Sequence, residues 1–176
     1  MGIFGDAKPI TVAGFLSAIV SFVLQLLGQS PFWTYVKIEG VTVHSGLWQG
    51  CISTTCTSGC GMFIAIVNYT INSINTRVSG CPNALTGTQA LETLAFIILL
   101  AAVILVAVQL FVMKDKDIMK KAGAVCCIVA GAFAIIGVIV YATQKGVKIS
   151  TLHFSFAFCV IAAVGGIVAG VLLIIG

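Results

Sequence analysis

The sequence predicts a four-helix transmembrane bundle carrying a small extracellular antiparallel β-sheet. Three observations predict it. Four long apolar stretches punctuate the chain, only 8% of its residues are charged, and a long segment of alternating character separates the first two stretches. A soluble domain carries about 25% charged residues, so a chain with a mean hydropathy of +1.17 cannot keep its surface wet. That balance excludes a soluble enzyme, a disordered chain and a nucleic-acid binder working through a basic face. The net charge of +4 is small and its positive residues are scattered. A length of 176 residues suits one domain covering positions 1–176.

A bilayer core is about 30 Å thick and needs roughly 20 apolar residues to cross. The spans run from about Ile10 to Leu27, Thr93 to Met113, Ala122 to Ala142 and Phe154 to Ile175. Backbone polar groups in lipid must be satisfied within each segment, which makes these helices. A cleavable signal peptide is not expected at the first span. Only Lys8 precedes it, and no small-residue cleavage site closes it. Gly2 lacks the Ser or Thr that N-myristoylation needs.

Four lysines fall between Lys114 and Lys121, which places that loop and both termini in the cytoplasm. The other two loops then lie outside, although the second carries Lys145 and Lys148. Two features agree. Asn68-Tyr69-Thr70 is a glycosylation sequon, and Cys51, Cys56, Cys60 and Cys81 cluster in the first outer loop, where oxidation is permitted.

That loop, positions 30–91, is too long for a structureless connection. Thr34 to Ile38 alternates and ends at Gly40. A second run starts at Val41 and reaches Trp48, and Met62 to Val67 is a third. Val67, Tyr69 and Ile71 alternate with Asn68, Thr70 and Asn72. The pattern predicts four or five strands with an apolar side resting on the helix ends. So small a sheet has little core, and disulfides compensate at about 2–4 kcal/mol each. Four cysteines allow three pairings. Cys51–Cys60 with Cys56–Cys81 is the first choice, and Cys51–Cys56 with Cys60–Cys81 the second. No His or acidic partner stands at zinc-ligand spacing, so no metal is expected.

Trp33 follows the first span, and Gly46-Leu47-Trp48-Gln49-Gly50-Cys51 follows with a further cysteine behind it. This resembles the W…GLW-x-x-C…C signature of the claudin superfamily, which also holds the peripheral myelin and epithelial membrane proteins, the lens fibre membrane protein and stargazin-type channel auxiliary subunits. The resemblance covers the whole chain. It implies a left-handed four-helix bundle capped by a disulfide-stapled sheet, with Trp33, Gly46, Leu47 and Trp48 anchoring the sheet to the bundle. Indole rings also suit the headgroup level, and Gly46 would let backbone approach a helix closely. Direct partner contact is the alternative role for these residues.

The sequence departs from the claudin pattern in three places. Glu92 stands where claudins carry an Arg at the outer end of the second span, the second outer loop from about Thr143 to His153 is short, and the chain stops at Gly176, so no scaffold-binding tail is expected. The close Cys51 and Cys56 spacing is similar to the lens and auxiliary-subunit branches.

Gly14, Ala18, Ser21 and Gln25 recur at helical spacing in the first span, and Gly166 and Gly170 form a small stripe in the fourth. Both predict close helix packing within the bundle, with lateral association as the alternative. No span as bounded above carries a charge in its middle third, which speaks against a transporter or a pore. Gln109 is expected to face a neighbouring helix. Cys126 and Cys127 are read as apolar fillers, with palmitoylation as the alternative, and Cys159 as filler. His44 and His153 lack any arrangement suited to catalysis.

The expected function is therefore non-enzymatic, with no cofactor, no small-molecule substrate and no nucleic acid. We expect a claudin-like plasma-membrane protein that mediates or organises cell–cell contact or a paracellular barrier through its sheet. Its partners would be membrane lipid and further copies in cis or trans. With Lys37, Glu39 and Arg77 as the loop's charges, anion preference would be mild. An auxiliary subunit of an ion channel or receptor is the rival expectation, with a larger membrane protein as partner.

Overall fold

The computed structural model describes residues 8–30, 32–38, 41–52, 55–58, 83–113, 117–144, 147 and 149–176. Four of its helices are long and apolar enough to cross a membrane. Helix α1, Pro9–Gly28, starts with proline at the position where a missing N–H costs nothing. It closes with the Gln29 and Ser30 amides on the Leu26 and Leu27 carbonyls.

Helix α2 spans Asn83–Phe111 and so begins well before the apolar run at Thr93. The cause is periodicity. Leu85, Thr88, Glu92, Ala95 and Leu99 recur at three- and four-residue spacing, and all are buried. A hydropathy window registers mean apolarity and misses a helix whose first turns bury one face only. Helix α3, Asp117–Ala142, opens on an acidic first turn that complements its dipole. Helix α4 is Phe154–Ile175.

The helices form a ring in which α1 packs on α2 and α4, and α3 packs on α2 and α4. Small residues face inward. Gly14, Ala18, Ser21 and Gln25 are all buried on α1. Gly14 meets Leu173, and the Ser17 hydroxyl donates to the Gly165 carbonyl at 3.2 Å. Gly166 and Gly170 admit α3, against the Cys127 and Ala124 carbonyls respectively. Cys127 and Cys159 are buried fillers, and Cys126 is half-buried. Leu16, Ile97, Ile104, Ile139 and Val164 point outward as an apolar face.

Strands β1 (Thr34–Ile38), β2 (Val41–Ser45), β3 (Gln49–Ile52) and β4 (Thr55–Ser58) form one sheet in the order β1-β2-β3-β4. All neighbours are antiparallel. Thr34 lies opposite Ser45, Ser45 opposite Gly50, and Cys51 opposite Cys56. The expected second run from Val41 to Trp48 stops at Ser45, because the Gly46 amide turns to donate to the Gln49 carbonyl at 2.9 Å. The expected strands between Met62 and Asn72 lie outside the described residues. A 3-10 turn at Ile149–Thr151 delivers Leu152 to an isolated bridge with Thr34.

Candidate functional site: the sheet–bundle junction

Trp33 is fully buried where the sheet meets the helices. Its indole N–H donates to the Gly28 carbonyl at 2.6 Å, and so satisfies one of the carbonyls that a helix end leaves without a partner. Tyr141 and Phe156 present ring edges to it, with centroids 4.7 Å and 5.7 Å away. Such edge-to-face pairs add about 0.5–1.5 kcal/mol beyond burial. Leu47, Leu85, Val138 and Cys159 complete this cluster. One tryptophan thus joins β1 to α1, α3 and α4. The backbone repeats the link: Trp33 donates to Ser45, and the amides of His153 and Ser155 donate to Trp33 and Phe32. The first amides of α4 are thereby satisfied by the strand's approach.

Gly46, Leu47 and Trp48 form the turn between β2 and β3, and each acts differently. Gly46 is buried and sets the turn through its amide. Leu47 is buried, and its carbonyl accepts from the Gln89 side chain of α2 at 2.5 Å. Trp48 is 45% exposed, and its indole donates to Gln29 Oε1 at 2.9 Å, beyond the end of α1. An indole with a wet flank and a satisfied N–H suits the membrane–water boundary.

Cys51 is bonded to Cys56. This corrects the first-choice pairing of Cys51 with Cys60. The reason is register: β3 and β4 make a tight hairpin that sets Cys51 directly across from Cys56. Cys60, Cys81 and the sequon at Asn68 lie outside the described residues.

Beneath the Trp33 cluster lies a polar contact that the sequence reading missed. Glu92 is fully buried, and Gln25 Nε2 donates to its Oε2 at 2.5 Å. The Cys159 thiol lies beside the carboxyl, and Gly137 leaves the space that the carboxyl fills. Among the described residues Glu92 Oε1 has no hydrogen-bond partner. The available signal was the continuation of the α2 period through Leu85, Thr88 and Glu92, together with Gln25 on the matching stripe of α1. Intramembrane carboxyls are costly and seldom incidental. Here the group joins the two helices that flank the sheet's entry.

A second aromatic group lies on the outer side. Phe32 contacts His44 and Phe154 with centroids 5.1 Å and 5.2 Å away, and Tyr35 stacks on His44 at 6.0 Å. Among the described residues no group of three or more His, Cys, Asp or Glu side chains could hold a metal ion.

A ring of four spans, a stapled hairpin and a tryptophan set under the sheet define a four-span membrane protein with a small sheet seated on one end of its bundle. The chain belongs to the PMP-22/EMP/MP20/Claudin family, whose model matches residues 10–175. It is therefore a multi-pass membrane protein. No curated protein matches the chain significantly.

Proposed function

We propose that this is a non-enzymatic plasma-membrane protein that organises contact between neighbouring cells, or a barrier between them, through the rim of its sheet. The observation that carries this reading is the edge of β1. Among the described residues β1 pairs with β2 on one side, and on the other its one backbone bridge is Thr34 to Leu152, with the Ile149–Thr151 turn and the His153 ring packed near it. Tyr35 on that strand is exposed, and Ile149 beside it is 85% exposed. A strand edge with apolar neighbours offers backbone donors and acceptors to a second strand. Self-association in cis or in trans would use it.

The same reading turns the sheet outward and leaves both termini in the cytoplasm. The Lys114–Lys121 loop supports it, as do the sequon at Asn68 and a disulfide, which favours an oxidising compartment.

The test is expression in cells without junctions, mixed with cells that lack the protein. Enrichment at borders only where both neighbours express it is the expected outcome. Uniform surface staining, with an ion channel or receptor recovered in mild detergent, would instead assign the auxiliary-subunit role.

A further inference from the structure

At the end of the bundle away from the sheet, a cleft of about 240 Å³ opens between the start of α1, the last turn of α2, the first turn of α3 and Gly176 at the end of α4. Lys8, Thr11, Gln109, Asp117 and Lys120 line it. Among the described residues two of these side chains are short of partners, Lys120 half-buried and Gln109 buried. The Lys120 side chain is only 15% exposed, and among the described residues its ion pair is Asp117 at 3.6 Å, a carboxylate that is itself 73% exposed. An ammonium carries three donors, and one long contact to a solvated partner leaves most of that capacity unused. Gln109 is 8% exposed, and among the described residues its Oε1 has no hydrogen-bond partner. Buried polar atoms are nearly always satisfied, so an orphan aimed into a cleft points to something that fills it.

The chemistry of the lining narrows the occupant. Lys120 within and Lys8 at the mouth ask for anionic oxygens. The Gln109 acceptor asks for a donor on the same molecule. The height of the cleft narrows it further. Lys8 precedes the first span, Gln109 ends the second and Asp117 opens the third, so the cleft lies at the level of lipid headgroups. Choline brings no hydrogen-bond donor, and the ammonium of ethanolamine or serine would add a third cation to a lining that already sets two lysines against the single side-chain carboxylate of Asp117. A phosphorylated polyol brings both anionic oxygens and hydroxyls. Basic pockets between transmembrane helices are suited to such headgroups. The volume lies under the roughly 300 Å³ at which drug-sized pockets begin, which suits a headgroup with its acyl chains left in the bilayer.

We propose that this cleft binds the phosphorylated inositol headgroup of a membrane lipid through Lys120, Lys8 and Gln109. The proposal does not depend on what the sheet does.

The test places the intact chain in phosphatidylcholine nanodiscs, which expose both faces and so remove any dependence on orientation. The discs contain phosphatidylinositol 4,5-bisphosphate, or phosphatidylserine at matched charge, and native mass spectrometry counts the retained lipid. We expect one phosphoinositide per chain, held in preference to phosphatidylserine. Lys120→Gln should weaken retention at least tenfold, while Lys121→Gln, at the exposed neighbouring position, should change it less than twofold. Gln109→Leu should narrow the preference for inositol over serine. Equal retention of phosphatidylserine would overturn the proposal, as would equal losses from Lys120→Gln and Lys121→Gln, because either is the mark of diffuse attraction to a basic surface. Soluble inositol 1,4,5-trisphosphate binding as tightly as the lipid would reassign the cleft to a free phosphate ester and overturn the lipid source. If Lys120→Gln fails to elute as a folded species, Lys8→Gln at the exposed start of α1 carries the test, with a loss of at least threefold expected.

Discussion

Trp33 joins β1 to α1, α3 and α4, and its two contributions can be separated by substitution. Trp33→Phe keeps a ring for Tyr141 and Phe156 but deletes the bond to the Gly28 carbonyl. The expected loss is about 1 kcal/mol, the usual net value of one hydrogen bond. Trp33→Ala empties a fully buried site and should cost about 3–5 kcal/mol. Thermal unfolding in detergent micelles reads both, and equal losses would mean that ring packing contributes nothing. The Gln25–Glu92 pair gives an opposite pattern for its two members. Gln25→Leu strands a buried carboxyl whose Oε1 already lacks a partner, and should destabilise by about 1–3 kcal/mol. Glu92→Gln removes the carboxyl, keeps an oxygen to accept from Gln25, and should leave stability equal or higher. A Glu92→Gln protein that unfolds earlier than Gln25→Leu would show that the carboxylate itself is required.

Between elements, the glycines of α3 and α4 set the helix separation. A Cβ on Gly131 would lie 2.6 Å from the Ala163 carbonyl oxygen, and one on Gly170 would lie 2.6 Å from that of Ala124. Backbone oxygens of a packed helix cannot step aside as a flexible side chain does. Gly131→Ala and Gly170→Ala should each cost about 1–3 kcal/mol through forced separation of the helices. Gly87→Ala on α2 meets nothing within 4 Å and should gain up to about 1 kcal/mol from helix propensity. Midpoints measured side by side check the sign in each case. The same scale shows what the sequence could convey. The apolar core of each span was legible, because twenty consecutive apolar residues have one interpretation. The true start of α2 was not, since Thr86, Gly87, Thr88 and Gln89 dilute the hydropathy and only the period of Leu85, Thr88 and Glu92 betrays a helix. Strands β1 and β2 announce themselves by β-branched alternation. Strands β3 and β4 are four residues each, rich in Gly, Thr, Ser and Cys, and their pairing rests on register, which composition does not carry. The tryptophan motif was readable as an anchor. Its partners were not, because Gly28, Tyr141 and Phe156 meet it only once the ring of helices has closed.

For the whole molecule, the sheet and the bundle share one core. Trp33 and Leu47 come from the sheet side of the junction, whereas Leu85, Val138, Tyr141 and Cys159 come from three different helices, and all six belong to a single buried cluster. Among the described residues the sheet adds buried Val43 and a disulfide that closes a very short loop. In the chain-entropy picture a short loop gives the least stabilisation, so the Cys51–Cys56 bond holds the hairpin's register rather than the fold of the sheet. Among its described residues the sheet has no core apart from the bundle's, and a small segment without one does not reach the stability of a domain. The outer segment, residues 30–82, oxidised and freed from the bundle, should therefore give the narrow amide dispersion of an unfolded chain in nuclear magnetic resonance. In the intact protein, the amides of β1 and β2 should exchange slowly with solvent, and Trp33→Ala should speed their exchange while leaving the helical amides at mid-membrane protected. A dispersed spectrum from the excised segment, with slow exchange at Thr34–Ile38 and Val41–Ser45, would make the sheet an autonomous unit. Trp33 would then be a tether between two independently folded parts, and the strand edge proposed as a contact surface would no longer depend on the packing of the spans.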